Sequence, residues 1–146
     1  MSELHDISTA DLIEYFSLLP GWEEKFRYII DLGKKLPAYP DDYKDEQHQI
    51  YGCQSTVWLK VIDHDSTLSF QADADAAIVR GLIAILMIAY NNQTPDYILK
   101  FDVKGWLESL GLLDHLTPTR SNGLNAMIKR IQSHAKHILE PDVRGI

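Results

Sequence analysis

The 146-residue chain carries a single cysteine, Cys53. One thiol excludes an internal disulfide, a CxxC redox pair and a zinc site built from several thiolates. It leaves a lone nucleophile, a sulfur partner for another molecule, or a small buried hydrophobe. Basic residues are also scarce. Fourteen Lys and Arg stand against 21 Asp and Glu, a formal net charge of −7 that repels a phosphate backbone and argues against nucleic-acid partners. Long apolar runs are missing too. The stretch from Leu82 to Tyr90 lies between Arg80 and Asn91, far short of the roughly 20 residues a membrane helix requires, so no membrane segment is expected. The start, Met1 to Asp6, has neither the basic nor the apolar region of a secretory signal. A cytoplasmic location is therefore expected, where a free thiol stays reduced. Neither a Walker-type nor a Rossmann-type glycine cradle appears, and no GxSxG elbow, so nucleotide binding and serine hydrolysis lack their chemical parts.

A metal site is not expected either. Of six histidines only His134 and His137 share a helical spacing, with no carboxylate placed to complete a ligand set. The pair reads as an exposed basic helix face. Asp73 and Asp75 are too little for a calcium loop, whose sixth position would be Ile78 instead of glycine; helix capping explains them better.

What is present has the size and the 45% hydrophobic content of one compact domain spanning 1–146. Ser8 and Asp11 make an N-terminal capping arrangement before an apolar stripe, predicting a helix to about Leu19. Pro20-Gly21 breaks it. Trp22, Phe26, Ile29, Ile30 and Leu36 mark a second helix, ended by Pro37 and Pro40. After a charged loop to Gln49, Thr56–Val61 and Leu68–Ala72 alternate as strands around a turn at Asp63-His64-Asp65-Ser66, with a third short strand near Gln49–Tyr51. From Ile78 to Ile88 the chain is apolar almost all round, the pattern of a central helix. Thr94-Pro95 and Thr117-Pro118 are cap signals for further helices, Gly111 ends one of them, and Leu124, Met127, Ile128, Ile131, Ala135 and Ile138 trace a long final helix.

The segment Tyr51-Gly52-Cys53-Gln54-Ser55 stands out against this frame. Gly52 permits a sharp turn that presents the next residue, and Gln54 and Ser55 are poor material for a strand interior. Arg120 is the second residue of note. It lies among the turn-forming residues Pro118 to Gly123, at a helix start where a cation opposes the dipole. A cation so positioned suits an anion elsewhere.

Together these segments resemble the SufE family, sulfur acceptors of cysteine desulfurases in iron–sulfur cluster assembly. The resemblance runs the length of the chain. It rests on Trp22-Glu23-Glu24-Lys25, Ile29-Ile30-Asp31-Leu32-Gly33, Gly52-Cys53-Gln54-Ser55, Val57-Trp58, Asp75-Ala76-Ala77-Ile78-Val79, Gly81-Leu82, Thr94-Pro95 and Leu116-Thr117-Pro118-Thr119-Arg120-Ser121. CsdE is a close relative, but Gln54-Ser55 is more similar to SufE itself. The resemblance implies an α+β fold, a small antiparallel sheet of about three strands packed against several helices, similar to the IscU-type scaffolds. It implies that Cys53 takes sulfane sulfur as a persulfide from a pyridoxal-phosphate desulfurase of the SufS or CsdA type and delivers it to a SufBCD-type scaffold. The pyridoxal phosphate belongs to the partner, and no cofactor is assigned to this chain; a homodimer is compatible with the resemblance. Arg120 is then expected near the cysteine, favouring the thiolate. Asp75 is expected to cap the central helix and hold the cysteine loop, or to act as an acid that keeps the thiol quiet. The alternative is a docking module that stimulates a desulfurase by contact alone.

Overall fold

The computed structural model describes residues 4–51 and 55–139. Gly52, Cys53 and Gln54 lie outside the described residues.

The first helix, α1 (Thr9–Leu18), begins as its sequence predicts. Ser8 Oγ accepts from the Asp11 N–H at 3.0 Å and Asp11 Oδ2 accepts from the Ser8 N–H at 3.1 Å, a reciprocal capping box. Helix α2 (Trp22–Gly33) ends earlier than the apolar stripe suggests. Its last turn closes at Lys34 and Lys35 through bonds to Ile30, Asp31 and Leu32 carbonyls, so Leu36 packs on the core from outside the helix.

Three strands follow: β1 (Gln49–Ile50), β2 (Val57–His64) and β3 (Thr67–Ala74), an antiparallel sheet in the order β1-β2-β3. The β2–β3 turn is tighter than the sequence suggests: His64 already pairs with Thr67, leaving Asp65 and Ser66 at the tip. Asp65 takes φ 67°, a left-handed conformation that Asp tolerates, and the Asp63 carboxylate accepts its N–H at 3.0 Å. Period-two alternation buries Val57 and Leu59 of β2 and Leu68, Phe70, Ala72 and Ala74 of β3. β1 is so short that it pairs only with Val57 and Trp58; a further bond runs from the Leu59 N–H to the His48 carbonyl.

Helix α3 (Ala77–Tyr90) forms the middle of the fold, with every residue from Gly81 to Met87 buried. It packs on α2 at a crossing of two glycines. A Cβ on Gly33 would lie 2.7 Å from the Gly81 nitrogen, and one on Gly81 would strike the Ile29 carbonyl oxygen. Only residues without side chains permit this approach.

The remaining helices are α4 (Pro95–Lys100), α5 (Val103–Ser109) and α6 (Pro118–Leu139). Thr94 Oγ1 caps α4 by accepting the Tyr97 N–H at 3.1 Å, and Gly111, at φ 72°, turns the chain after α5. Leu124, Met127, Ile128, Ile131 and Ala135 of α6 are buried, as their spacing predicts. No helix among the described residues is long and apolar enough to cross a membrane. Trp106 is buried in this core, its indole N–H donating to the Thr9 carbonyl, while Trp22 and Trp58 are half-buried.

Candidate functional site

Three segments distant in sequence converge at one end of α3. Ser55 and Val57 come from the start of β2, Ala76, Ile78, Val79, Leu82 and Ile83 from the start of α3, and Thr117, Thr119, Arg120, Gly123, Leu124 and Met127 from the start of α6. They enclose a cavity of about 300 Å³. Its walls are aliphatic, and its polar groups are the Ser55, Thr117 and Thr119 hydroxyls and the Arg120 guanidinium.

Local chemistry fixes each segment. At α6, the Thr117 hydroxyl accepts the Arg120 N–H at 3.3 Å and the Thr117 carbonyl accepts the Ser121 N–H at 2.9 Å. The Thr117-Pro118 signal thus starts the helix, with Pro118 supplying a preset φ where no N–H is needed. Arg120 sits on its first turn, exposed, and no carboxylate among the described residues pairs with its guanidinium. Arg120 and Ser55 therefore line one cavity, and Ser55 is two residues from Cys53.

Asp75 does not cap α3. The N-cap is Ala76, in extended conformation and without a side-chain hydrogen bond. The Asp75 carboxylate instead accepts the Thr56 N–H at 3.2 Å, and the Asp75 N–H donates to the Thr56 carbonyl at 3.2 Å. These bonds prolong the β2–β3 pairing by one position and fasten the chain three residues after Cys53. Asp73 is no cap either: its Oδ1 accepts from the Ala74 N–H, and its Oδ2 meets Lys44 Nζ at 3.3 Å.

The chain before Cys53 is held from the opposite side of the sheet. A short turn at Asp41–Tyr43 lays residues 41–48 across the half-buried face of β2. Lys44 Nζ lies 5.3 Å from the Trp58 ring and Lys60 Nζ lies 3.8 Å from the Tyr43 ring. Arg130 of α6 donates to the Gln47 carbonyl at 3.0 Å. His48 donates its backbone N–H to Asp45 Oδ1 at 2.9 Å, and its ring Nδ1 lies 2.7 Å from the same oxygen; these hydrogen bonds hold the Asp45 carboxyl below its ordinary pKa. Sequence reasoning found none of these fastenings: the Lys44–Trp58, Lys60–Tyr43 and Arg130–Gln47 contacts join segments through the fold, and the local Asp45–His48 pair lies in a stretch read only as a charged loop. Tyr51, which follows β1, is 63% exposed.

The exposed basic face expected of His134 and His137 holds for only one of the two. Among the described residues no group of three metal-binding side chains occurs. His134, however, is half-buried on α6, while His137 is exposed. Burial, then the charges of Arg130 and His137, lower the His134 pKa below its ordinary value.

The family is decided by a match covering most of the chain: residues 10–135 fit the model described as SufE, Fe-S metabolism associated domain. The chain belongs to the SufE family. A role in iron–sulfur metabolism follows from that membership. The fold is also similar to the solution structure of a hypothetical protein from Thermus thermophilus, with a TM-score of 0.74 and 20% identity over 95% of this chain and 98% of that one. The α+β architecture expected from the SufE resemblance is thus present, with its three-stranded sheet and helices as described.

Proposed function

We propose that this SufE-family protein accepts sulfane sulfur on Cys53 from a pyridoxal-phosphate cysteine desulfurase and relays it to a SufBCD-type cluster-assembly scaffold. The observation that carries this reading is the shared cavity of Ser55 and Arg120: a largely aliphatic recess with, among the described residues, a single cation, and with Ser55 two residues along the chain from the only thiol. Family membership supplies the iron–sulfur context.

The transfer is a thiol–disulfide type of displacement. The Cys53 thiolate attacks the outer sulfur of the partner's persulfide, forming one S–S bond as the old one breaks, and the partner cysteine leaves as a thiolate. No external oxidant or reductant is consumed. The proton lost by Cys53 balances the one taken up by the departing thiolate. An ordinary thiol, with pKa about 8.5, is only a few per cent ionised at neutral pH, so a nearby cation raises the reactive fraction. Arg120 is the residue we assign to that role. An aliphatic recess also shields a persulfide from oxidants and stray thiols between donor and acceptor. Docking on the desulfurase would then bring Cys53 out to the partner, and Gly52 and Gln54 would shape the turn that carries it.

The deciding experiment is an intact-mass measurement, without reductant, after incubation with a type II cysteine desulfurase and free cysteine. A gain of one sulfur, absent in Cys53→Ser and erased by dithiothreitol, is the expected result. Undiminished desulfurase stimulation without any mass gain would make the protein a docking activator instead. Arg120→Gln should slow the gain about tenfold, the scale of losing one charge-assisted contact, while Arg120→Lys recovers part of the rate.

A further inference from the structure

The cavity between β2, α3 and α6 has a composition that selects a particular class of small molecule. Its floor and walls are Val57, Ile78, Val79, Leu82, Leu124 and Met127, and among the described residues Arg120 is the only charged one on it. No carboxylate among the described residues lines it. An amino acid would therefore leave its ammonium group unpaired, and a dianion would leave one charge in an apolar wall. A monoanion with an aliphatic body satisfies both parts of the cavity: the guanidinium and neighbouring hydroxyls take the carboxylate, and the chamber takes the chain. At roughly 30 Å³ per heavy atom, the chamber holds about ten such atoms, the size of an eight-carbon carboxylate.

We infer that this cavity binds compact anionic amphiphiles, medium-chain monocarboxylates being the fitting class, and that their occupancy competes with sulfur transfer. The binding stands on the cavity alone; the competition rests on the proposed role of Cys53 and follows from shared ground, because Ser55 and Arg120 belong to the walls of both. Sulfur acceptance would in this way be sensitive to a small metabolite with no sulfur chemistry of its own.

The test titrates the isotopically labelled full-length protein with acetate, butanoate, hexanoate and octanoate, each below its micelle concentration, and with octan-1-ol as the uncharged comparison. Affinity should rise about fourfold for each added methylene, the increment expected for burying one such group, and level off when the chamber is full. Chemical-shift changes should centre on Ser55, Val57, Ile78, Leu82 and Met127. Arg120→Gln should bring octanoate down to the affinity of octanol. Equal affinity of acid and alcohol for the unmutated protein, no dependence on chain length, or shift changes centred elsewhere would overturn the binding site. Saturating octanoate should also slow the sulfur mass gain at least about tenfold, the factor for a site occupied nine parts in ten; an unchanged rate would overturn the competition. If no sulfur is gained even without octanoate, it is the relay that fails, and the titration still decides the binding site.

Discussion

Asp75 and Thr56, nineteen residues apart in sequence, hold each other by two hydrogen bonds, one through the Asp75 side chain and one through its backbone. The side-chain bond is the one that substitution can remove. Asp75→Ala should cost about 0.5–1.5 kcal/mol, the net worth of such a bond, and should speed hydrogen exchange at the Thr56 amide. Asp75→Asn keeps an acceptor oxygen while removing the charge. Alkylation of Cys53 that quickens in the alanine variant alone would identify Asp75 as a fastening; alkylation that quickens equally in both would identify its charge as the brake.

The crossing of α2 and α3 has no room for a methyl group. Gly81→Ala would drive its Cβ into the Ile29 carbonyl and side chain, and overpacking of that kind costs about 1–3 kcal/mol. A lowered midpoint in urea, with an unchanged slope, is the expected result. A midpoint equal to that of the unmutated protein would show that the helices separate without cost.

Ser8 closes the capping box of α1, and Ser8→Ala should remove about 1 kcal/mol. Ser8→Asp should restore most of it, because an aspartate accepts the same N–H and suits the helix N-terminus. Thermal unfolding of the two variants side by side checks both statements.

His134 links stability to acidity. Its folded pKa lies below the ordinary 6.5, chiefly through burial. Below 6.5 the unfolded chain therefore binds a proton that the folded chain resists, and the sign is fixed: this contribution is fully present above 6.5 and is lost as pH falls from there toward the folded pKa. Melting temperatures at about pH 5 and about pH 7.5 should differ less for His134→Gln than for the unmutated protein. An identical difference would mean that other groups carry the acid sensitivity.

Much of this architecture is legible in the sequence because its signals are local. Ser8 with Asp11, Thr94 with Pro95 and Thr117 with Pro118 declare helix starts through contacts within four residues, and the alternation of Val57, Leu59, Leu68, Phe70 and Ala72 declares the hairpin's buried face. Asp75 shows where such reading stops. An acid just ahead of an apolar helix has the pattern of a cap, yet its carboxylate is claimed by Thr56 across the hairpin, and the cap position falls one residue later on Ala76. Gly33 shows the same limit for a helix end: the apolar stripe continues to Leu36, while the hydrogen bonding that defines the helix closes earlier. For the site, the cysteine segment and Arg120 are conspicuous as sequence, and Ser55 and Arg120 do share a cavity. The aliphatic walls that complete it are indistinguishable, one residue at a time, from ordinary core.

The shortness of β1 has a consequence for the chain in crowded solution. Beyond Trp58 the outer margin of β2 has, among the described residues, only the single bond from Leu59 to His48 as backbone company, so most of that margin is a template on which a foreign strand could grow. Lys60, Asp63 and His64 are the side chains an intruder would have to desolvate there, and Lys60 is already engaged by the Tyr43 ring. Charge along this margin is thus a guard against self-association, and replacing Lys60 and Asp63 together by valine should raise light scattering above that of the unmutated protein at equal concentration while the helical core remains intact.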